Sequence, residues 1–96
     1  MLDRLSVDDF TPHVAKTFGV GGPAGGIDLV LAEAAAVGAA PAGRRAPFSL
    51  VFRGPRTPVL PQAIYPFQHP TLGTLEIFIV PIGPDAGGMR YEAVFT

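Results

Sequence analysis

Two serines and two histidines are the side chains that could support nucleophilic catalysis: Ser6, Ser49, His13 and His69. A serine nucleophile needs a histidine within hydrogen-bonding reach and a strained turn that exposes its hydroxyl. Ser6 instead precedes an acidic stretch, which is typical of a helix N-cap, and Ser49 lies in the middle of an alternating strand pattern. The two histidines stand far apart in the sequence, and neither has a carboxylate at metal-ligand spacing. The sequence therefore predicts no catalytic residue and no metal site.

A cofactor site is not predicted either. Gly19–Ala24 has the small-residue spacing of a dinucleotide-binding loop, but Pro23 interrupts it and a strand-like run follows. That motif requires a helix N-terminus at this point, where the pyrophosphate is bound. The chain has no cysteine, which removes thiolate nucleophiles, disulfides and cysteine-ligated zinc together.

The remaining polar residues allow two weaker hypotheses. Glu76 and Glu92 fall on the two strands of a predicted hairpin and could pair across it as an acid/base couple, although their apolar neighbours favour the solvent face. His69 lies in a turn, where its imidazole can satisfy backbone groups. As an alternative function, loop ends near Tyr65, His69 and Tyr91 could bind a small ligand or a carbohydrate.

Four arginines lie in one short stretch, interleaved with aromatic residues: Arg44, Arg45, Arg53 and Arg56. Phe48 and Phe52 between them resemble a stacking platform for single-stranded nucleic acid, but both rings alternate as core positions. The net charge of −1 and the pI near 6.0 provide no attraction to nucleic acid or to anionic membranes. We expect these arginines to form a solvated or partner-facing polar rim.

Charged residues make up only 16% of the chain, against about 25% in an average soluble domain. The hydrophobic fraction of 48% includes many alanines, so the core is ordinary and it is the surface that lacks charge. Such a surface tends to leave apolar area exposed, which marks contacts with other proteins. Abundant Ala, Gly, Pro and Arg could equally reflect GC-rich coding, and composition leaves both interpretations open.

Residues 1–16 are predicted to form a cap over a β core of residues 17–96, in a single domain. Ser6 is the expected N-cap, Leu5 can pack on Phe10, and Pro12 limits the helix to one or two turns. The start of the chain lacks the basic and apolar runs of a signal peptide, so none is expected. Acidic residues interrupt Ile27–Ala42, and no membrane insertion is expected.

Alternating apolar residues predict five to six short strands, with turn signals between them. They cover Thr17–Val20, the start of 27–40, Phe48–Arg53, Ala63–Phe67, Thr74–Ile82 and Arg90–Thr96. The alanine-rich part of 27–40 also suits a helix, but caps are absent there and a strand is favoured. Pro66 predicts an edge strand or a bulge, because it cannot donate to a ladder. The predicted fold is mostly β, a small antiparallel β-sandwich or partly open barrel with a short N-terminal helix.

Thr74–Ile82 is apolar on both faces. Its outward side chains would include Phe78 and Val80, so the strand is either central or has one face against a partner. We therefore expect Phe78 and Val80 to form a partner interface, with the four arginines as its rim.

Four segments together resemble a family of small bacterial proteins known only as a domain of unknown function: Phe48–Gly54, His69–Gly73, Ile77–Pro81 and Tyr91–Phe95. The resemblance implies an association with phage-tail-collar or tail-fibre-like proteins, and hence a place in a tail-like, fibrous or extracellular assembly. It brings no catalytic residue. We expect a non-enzymatic structural or adaptor protein that acts by self-association or by docking into a larger assembly.

Overall fold

A computed structural model describes residues 5–21, 26–40, 43 and 45–95. It contains one short helix and six strands. In chain order these are α1 Val7–Phe10, a 3₁₀ turn Thr11–His13, β1 Thr17–Val20, β2 Ile27–Ala36, β3 Phe48–Gly54, β4 Ala63–His69, β5 Gly73–Asp85 and β6 Gly88–Phe95.

The six strands form one closed antiparallel barrel in the order β1-β2-β3-β6-β5-β4. The prediction of a mostly β, antiparallel fold with a short N-terminal helix is confirmed. The predicted hairpin of the last two strands is present as β5–β6. β5 extends from Gly73 to Asp85, beyond the predicted strand Thr74–Ile82, and its outward face is apolar around Phe78.

Alternation along each strand sorts the side chains into an inner and an outer set. Six phenylalanines and one tyrosine fill the interior and are at most 7% exposed: Phe10, Phe18, Phe48, Phe52, Phe67, Phe95 and Tyr91. The Phe48 and Phe95 rings stack with centroids 4.6 Å apart, and Phe52 lies 4.8 Å from Phe67. Leucine and isoleucine side chains of β2 and β5 complete this core, so α1 and all six strands contribute buried residues.

The N-terminal segment packs against one end of the barrel. The Ser6 N–H donates to the Asp9 carboxylate at 2.7 Å, which starts α1, and the chain changes to 3₁₀ geometry around Pro12. Phe10 is fully buried against Phe48 and Phe95.

β2 is a strand of ten residues rather than a helix, which confirms the preferred interpretation of this segment. A bulge interrupts its pairing with β3, since Leu31 pairs with Phe52 but Glu33 pairs with Val51. Ala32 is the extra residue. Beside it, Ala15 has a positive φ of 74° and donates its N–H to the Leu31 carbonyl.

β1 and β4 close the barrel through a short seam. Only Gly19–Gln68 and Val20–Phe67 are paired, and the Gly21 N–H then donates to the Pro66 carbonyl. Because backbone N and O of one residue point to the same side of a strand, the nitrogen of Pro66 also faces β1. The prediction of an edge strand or a bulge is wrong, because β4 is paired on both sides and its ladder with β5 has no register shift. The sheet accommodates Pro66 because its nitrogen lies where the described β1–β4 ladder ends.

The β5–β6 turn is fastened to β3 by an ion pair. Arg53 binds the Asp85 carboxylate through Nε and Nη2 at 3.2 and 2.7 Å, and the Gly87 N–H donates to the same carboxylate at 2.8 Å. Arg53 and the Gly87 amide together hold the pKa of Asp85 below its usual value. We call this arrangement the Asp85 staple.

The Asp85 staple requires glycine at its base. Gly88 has a φ of +133°, and a Cβ built there would clash with the Gly54 carbonyl oxygen. We expect Gly88→Ala to lower the free energy of unfolding by about 2 kcal/mol or more, measured by chemical denaturation. Gly38→Ala is the control, because its Cβ would meet only Pro47 at an ordinary 3.6 Å. Equal stability of the two variants would contradict this account.

Candidate functional site

The two tyrosines of the predicted ligand site hold a loop in place. Tyr91 is fully buried and its hydroxyl accepts the Leu60 N–H at 2.9 Å. The Tyr65 hydroxyl donates to the Pro61 carbonyl at 2.7 Å. Tyr91 therefore presents no surface to a ligand, and the structure does not assemble Tyr65, His69 and Tyr91 into one exposed site. Tyr91, Ala93 and Phe95 alternate along β6 and all point into the barrel, and this alternation is visible in the sequence.

The two histidines are brought together, against the expectation that they stand apart. The His13 and His69 rings meet edge to face with centroids 4.3 Å apart, and Phe18 lies 4.8 Å from His69. The N-terminal cap places His13 over the mouth of the barrel, where β4 ends at His69. Antiparallel closure of distant segments produces this contact, and no local sequence pattern signals it.

The role of His69 in its turn follows from its ring nitrogen. Nδ1 accepts the Thr71 and Leu72 N–H groups at 3.1 and 3.3 Å, as the turn prediction anticipated. Because Nδ1 must stay unprotonated to accept, the neutral ring carries its proton on Nε2 and has no free lone pair for a metal. Among the described residues, no group of three or more His, Asp or Glu side chains could hold a metal ion.

The pKa of His69 is lowered from its ordinary value. Partial burial is the main cause, and the nearby His13 and Lys16 add to it by disfavouring a further positive charge. His69 thus remains neutral at physiological pH and keeps its turn closed.

The other candidate groups are spread over the barrel wall. Ser6 caps α1, and Ser49 is paired with Val94 and Ala35 on β3, a strand that is not adjacent to the strand of His69. Glu76 is opposite Pro66 and Glu92 is opposite Val80, so the proposed Glu76–Glu92 pair across the hairpin is wrong. The residues beyond Gly21 in the glycine loop lie largely outside the described part of the chain.

The arginines do not form one rim. Arg45 lies at one end of β3, where its guanidinium is 5.5 Å from the Phe48 ring and 5.8 Å from the Phe95 ring and donates to the Leu5 carbonyl. Arg53 is at the opposite end of β3 in the Asp85 staple, and Arg56 donates to the Asp85 carbonyl at 2.7 Å. Arg44 lies outside the described residues.

The outer wall of β4, β5 and β6 carries an exposed apolar surface that we call the apolar strip: Ile64, Phe78, Val80 and Val94. Ile64 and Phe78 are directly opposite each other across β4–β5, with exposures of 62% and 50%. Val80 is half-buried opposite Glu92, and Val94, two residues further along β6, is 58% exposed. Phe78 and Val80, predicted from the two-faced pattern, therefore lie side by side with two apolar residues that the sequence reasoning missed.

Acidic side chains border the apolar strip. Glu76 lies two residues before Phe78 on the same face of β5, and Glu92 on β6 lies opposite Val80 and two residues before Val94. Neither forms a hydrogen bond or an ion pair with any of the residues that the structure describes. The surface can thus bind an apolar group and attract positive charge at its edges.

Fold and surface define this chain as a small closed β-barrel with a helical cap, packed with aromatic residues and apolar on part of its outer wall. It belongs to the DUF6916 family, a domain of unknown function whose model matches residues 5–95. No curated protein and no solved structure matches the sequence. Within the described residues, no helix is long and apolar enough to cross a membrane.

The lowered pKa of His69 predicts a pH-dependent stability. Unfolding releases the histidine to its ordinary pKa of 6.5, so acid favours the unfolded chain and stability falls as the pH drops below that value. His69→Asn keeps a side-chain acceptor for the turn but does not titrate. We expect denaturation midpoints that decline between about pH 7 and pH 5 in the parent chain and stay flatter in the variant.

The control for this experiment is His13→Asn, which leaves His69 titrating and so reduces the slope only in part. A His69→Asn variant that follows the parent curve over the whole range would contradict the assignment.

Proposed function

We propose that this protein is a non-enzymatic docking domain that binds a larger protein assembly through the apolar strip. The observation that carries the proposal is Phe78. The other six of the seven phenylalanines lie in the core, whereas Phe78 is half exposed at the centre of an apolar surface. Aromatic side chains of this kind anchor protein interfaces, because they bury a large area at a low cost in conformational entropy.

The area of the apolar strip bears on the kind of partner. Its exposed apolar area is on the order of 300 Å², which is within the range of the largest patches on ordinary monomers. A standard interface buries about 800 Å² on each partner, so the strip is its apolar centre and the surrounding polar surface must supply the rest. The acidic border formed by Glu76 and Glu92 would be part of that rim.

Charge favours a different protein over a second copy as the occupant. Two strips packed face to face would bring acidic borders close together, which costs energy in a partly desolvated interface. A partner with an apolar ridge flanked by Lys or Arg complements both parts of the surface. A tail-like or fibrous assembly, which the family resemblance implies, is the setting we propose for such a partner.

The competing function, a small-ligand or carbohydrate-binding module at Tyr65, His69 and Tyr91, has less support. The buried ring of Tyr91 and the engaged hydroxyl of Tyr65 both serve the same loop. Carbohydrate sites need exposed aromatic faces and free polar groups, and these three side chains do not combine them.

A crosslinking experiment tests the docking proposal. A photoreactive phenylalanine analogue replaces Phe78 in the full chain within the cell that makes it, and mass spectrometry maps the captured peptide. We expect an apolar segment flanked by Lys or Arg. The same analogue at Val59, which is 47% exposed on a loop outside the strip, is the control and should not capture that segment.

Variants measure the energetics of the captured complex. We expect Phe78→Ser to weaken binding at least about tenfold, because an aromatic anchor is lost, while Val59→Ser changes little. Glu76→Gln combined with Glu92→Gln should weaken binding less and reduce its salt dependence. Light scattering of the purified chain separates the alternatives. A concentration-dependent dimer that Phe78→Ser abolishes would mean that a second copy occupies the strip.

A further inference from the structure

A second surface feature lies on the opposite part of the barrel wall, away from the apolar strip. An open cleft of about 520 Å³ is formed where the outer faces of β2 and β3 meet the segment between the 3₁₀ turn and β1. Its apolar lining includes Val14, Val30 and Ala32, and the β5–β6 turn contributes Gly87. We call it the cap cleft. Its volume is in the range of small-molecule sites.

Several departures from regular structure converge on the cap cleft. Ala32 is the residue bulged out of the β2–β3 ladder, and Ala15 beside it holds a positive φ of 74°. On the other wall, Gly87 packs so closely on the Arg53 side chain that a Cβ there would lie 2.7 Å from Arg53 Cδ. Bulges and strained residues of this kind concentrate at binding sites, because each costs stability that regular strands would not.

Two charged side chains line the cap cleft, and only one of them is neutralised within the protein. Arg53 is engaged by the Asp85 carboxylate in the Asp85 staple. Asp28 is exposed and forms no hydrogen bond or ion pair with the residues that the structure describes. The lining thus has an apolar floor and one carboxylate without a partner.

We propose that the cap cleft binds a small organic cation, an ammonium group with a compact apolar body. The ammonium group would pair with the Asp28 carboxylate, and the body would cover Val30 and Ala32. A charge-assisted contact at the edge of an apolar surface is stronger than the same contact in open water, because the body excludes solvent from one side of it. The Asp85 staple weakens the repulsion between Arg53 and the ligand, because the Asp85 carboxylate, which Arg90 also approaches at 3.9 Å, pairs with Arg53.

The test uses benzylamine as the probe and the isotope-labelled full chain, with amide chemical shifts as the readout. We expect a Kd of about 1 mM, the affinity that eight non-hydrogen atoms and one ion pair support. The shifts should be largest at Val14, Ala32 and Gly87. Benzyl alcohol, which has nearly the same shape and no charge, should bind at least about tenfold more weakly.

Matched variants separate charge from shape. Asp28→Asn should weaken benzylamine binding about tenfold, whereas Glu76→Gln, which removes a carboxylate from the other wall, should not change it. Val30→Ser should weaken binding as well, and Val94→Ser should not. Equal binding of the amine and the alcohol, an unchanged affinity in Asp28→Asn, or shifts confined to other residues would overturn the proposal. Each of these results leaves the proposed docking through Phe78 unaffected.

Discussion

Closure of the sheet between β1 and β4 is the constraint on which the rest of the structure depends. β1 has only four residues, and its pairing with β4 comprises two residue pairs and one further hydrogen bond to Pro66. So short a seam is stable because Phe18 and Val20 on β1 and Phe67 on β4 point into the same core. Apolar burial, at about 25 cal/mol per Å² of surface, contributes more here than the few ladder hydrogen bonds. Packing in the core, more than backbone pairing, therefore stabilises the closure of the barrel.

The same closure determines where function can reside. With six phenylalanines and Tyr91 filling the interior, the polar groups on the inner phase of the strands serve the loops and turns next to them: Tyr91 and Tyr65 bind the loop before β4, and His69 binds the turn after it. Binding therefore falls to the outer wall and to the junctions between barrel and cap. In the closed barrel each strand has a neighbour on both sides, so little unpaired backbone is left in the described strands for a strand of another chain to add to. Association with another chain would therefore depend on side chains more than on strand addition.

Most of the fold was predictable because its signals are local. Alternation identified β3, β5 and β6, and Ser6 with Pro12 set the extent of α1. The contacts that distinguish this barrel arise between segments far apart in the chain. His13 meets His69 only because the cap folds over the end of β4, and Arg45 separates from Arg53 because an extended strand carries them to opposite ends. Tyr91 is part of the predicted alternative ligand site, yet it alternates with Ala93 and Phe95 along β6, and that alternation is the local signal that predicts its burial.

The few charged residues that the structure describes fall into two groups, those paired within the fold and those without partners. Arg53 and Asp85 are consumed in fastening the β5–β6 turn to β3, whereas Asp28, Glu76 and Glu92 remain without partners among the described residues. An exposed ion pair adds little stability, so the Asp85 staple matters mainly because it fixes the position of the turn. These three carboxylates lie beside exposed apolar side chains, Phe78 in one case and Val30 in the other. That combination of unpaired negative charge and exposed apolar area, repeated on two walls, is the physical basis of both binding proposals.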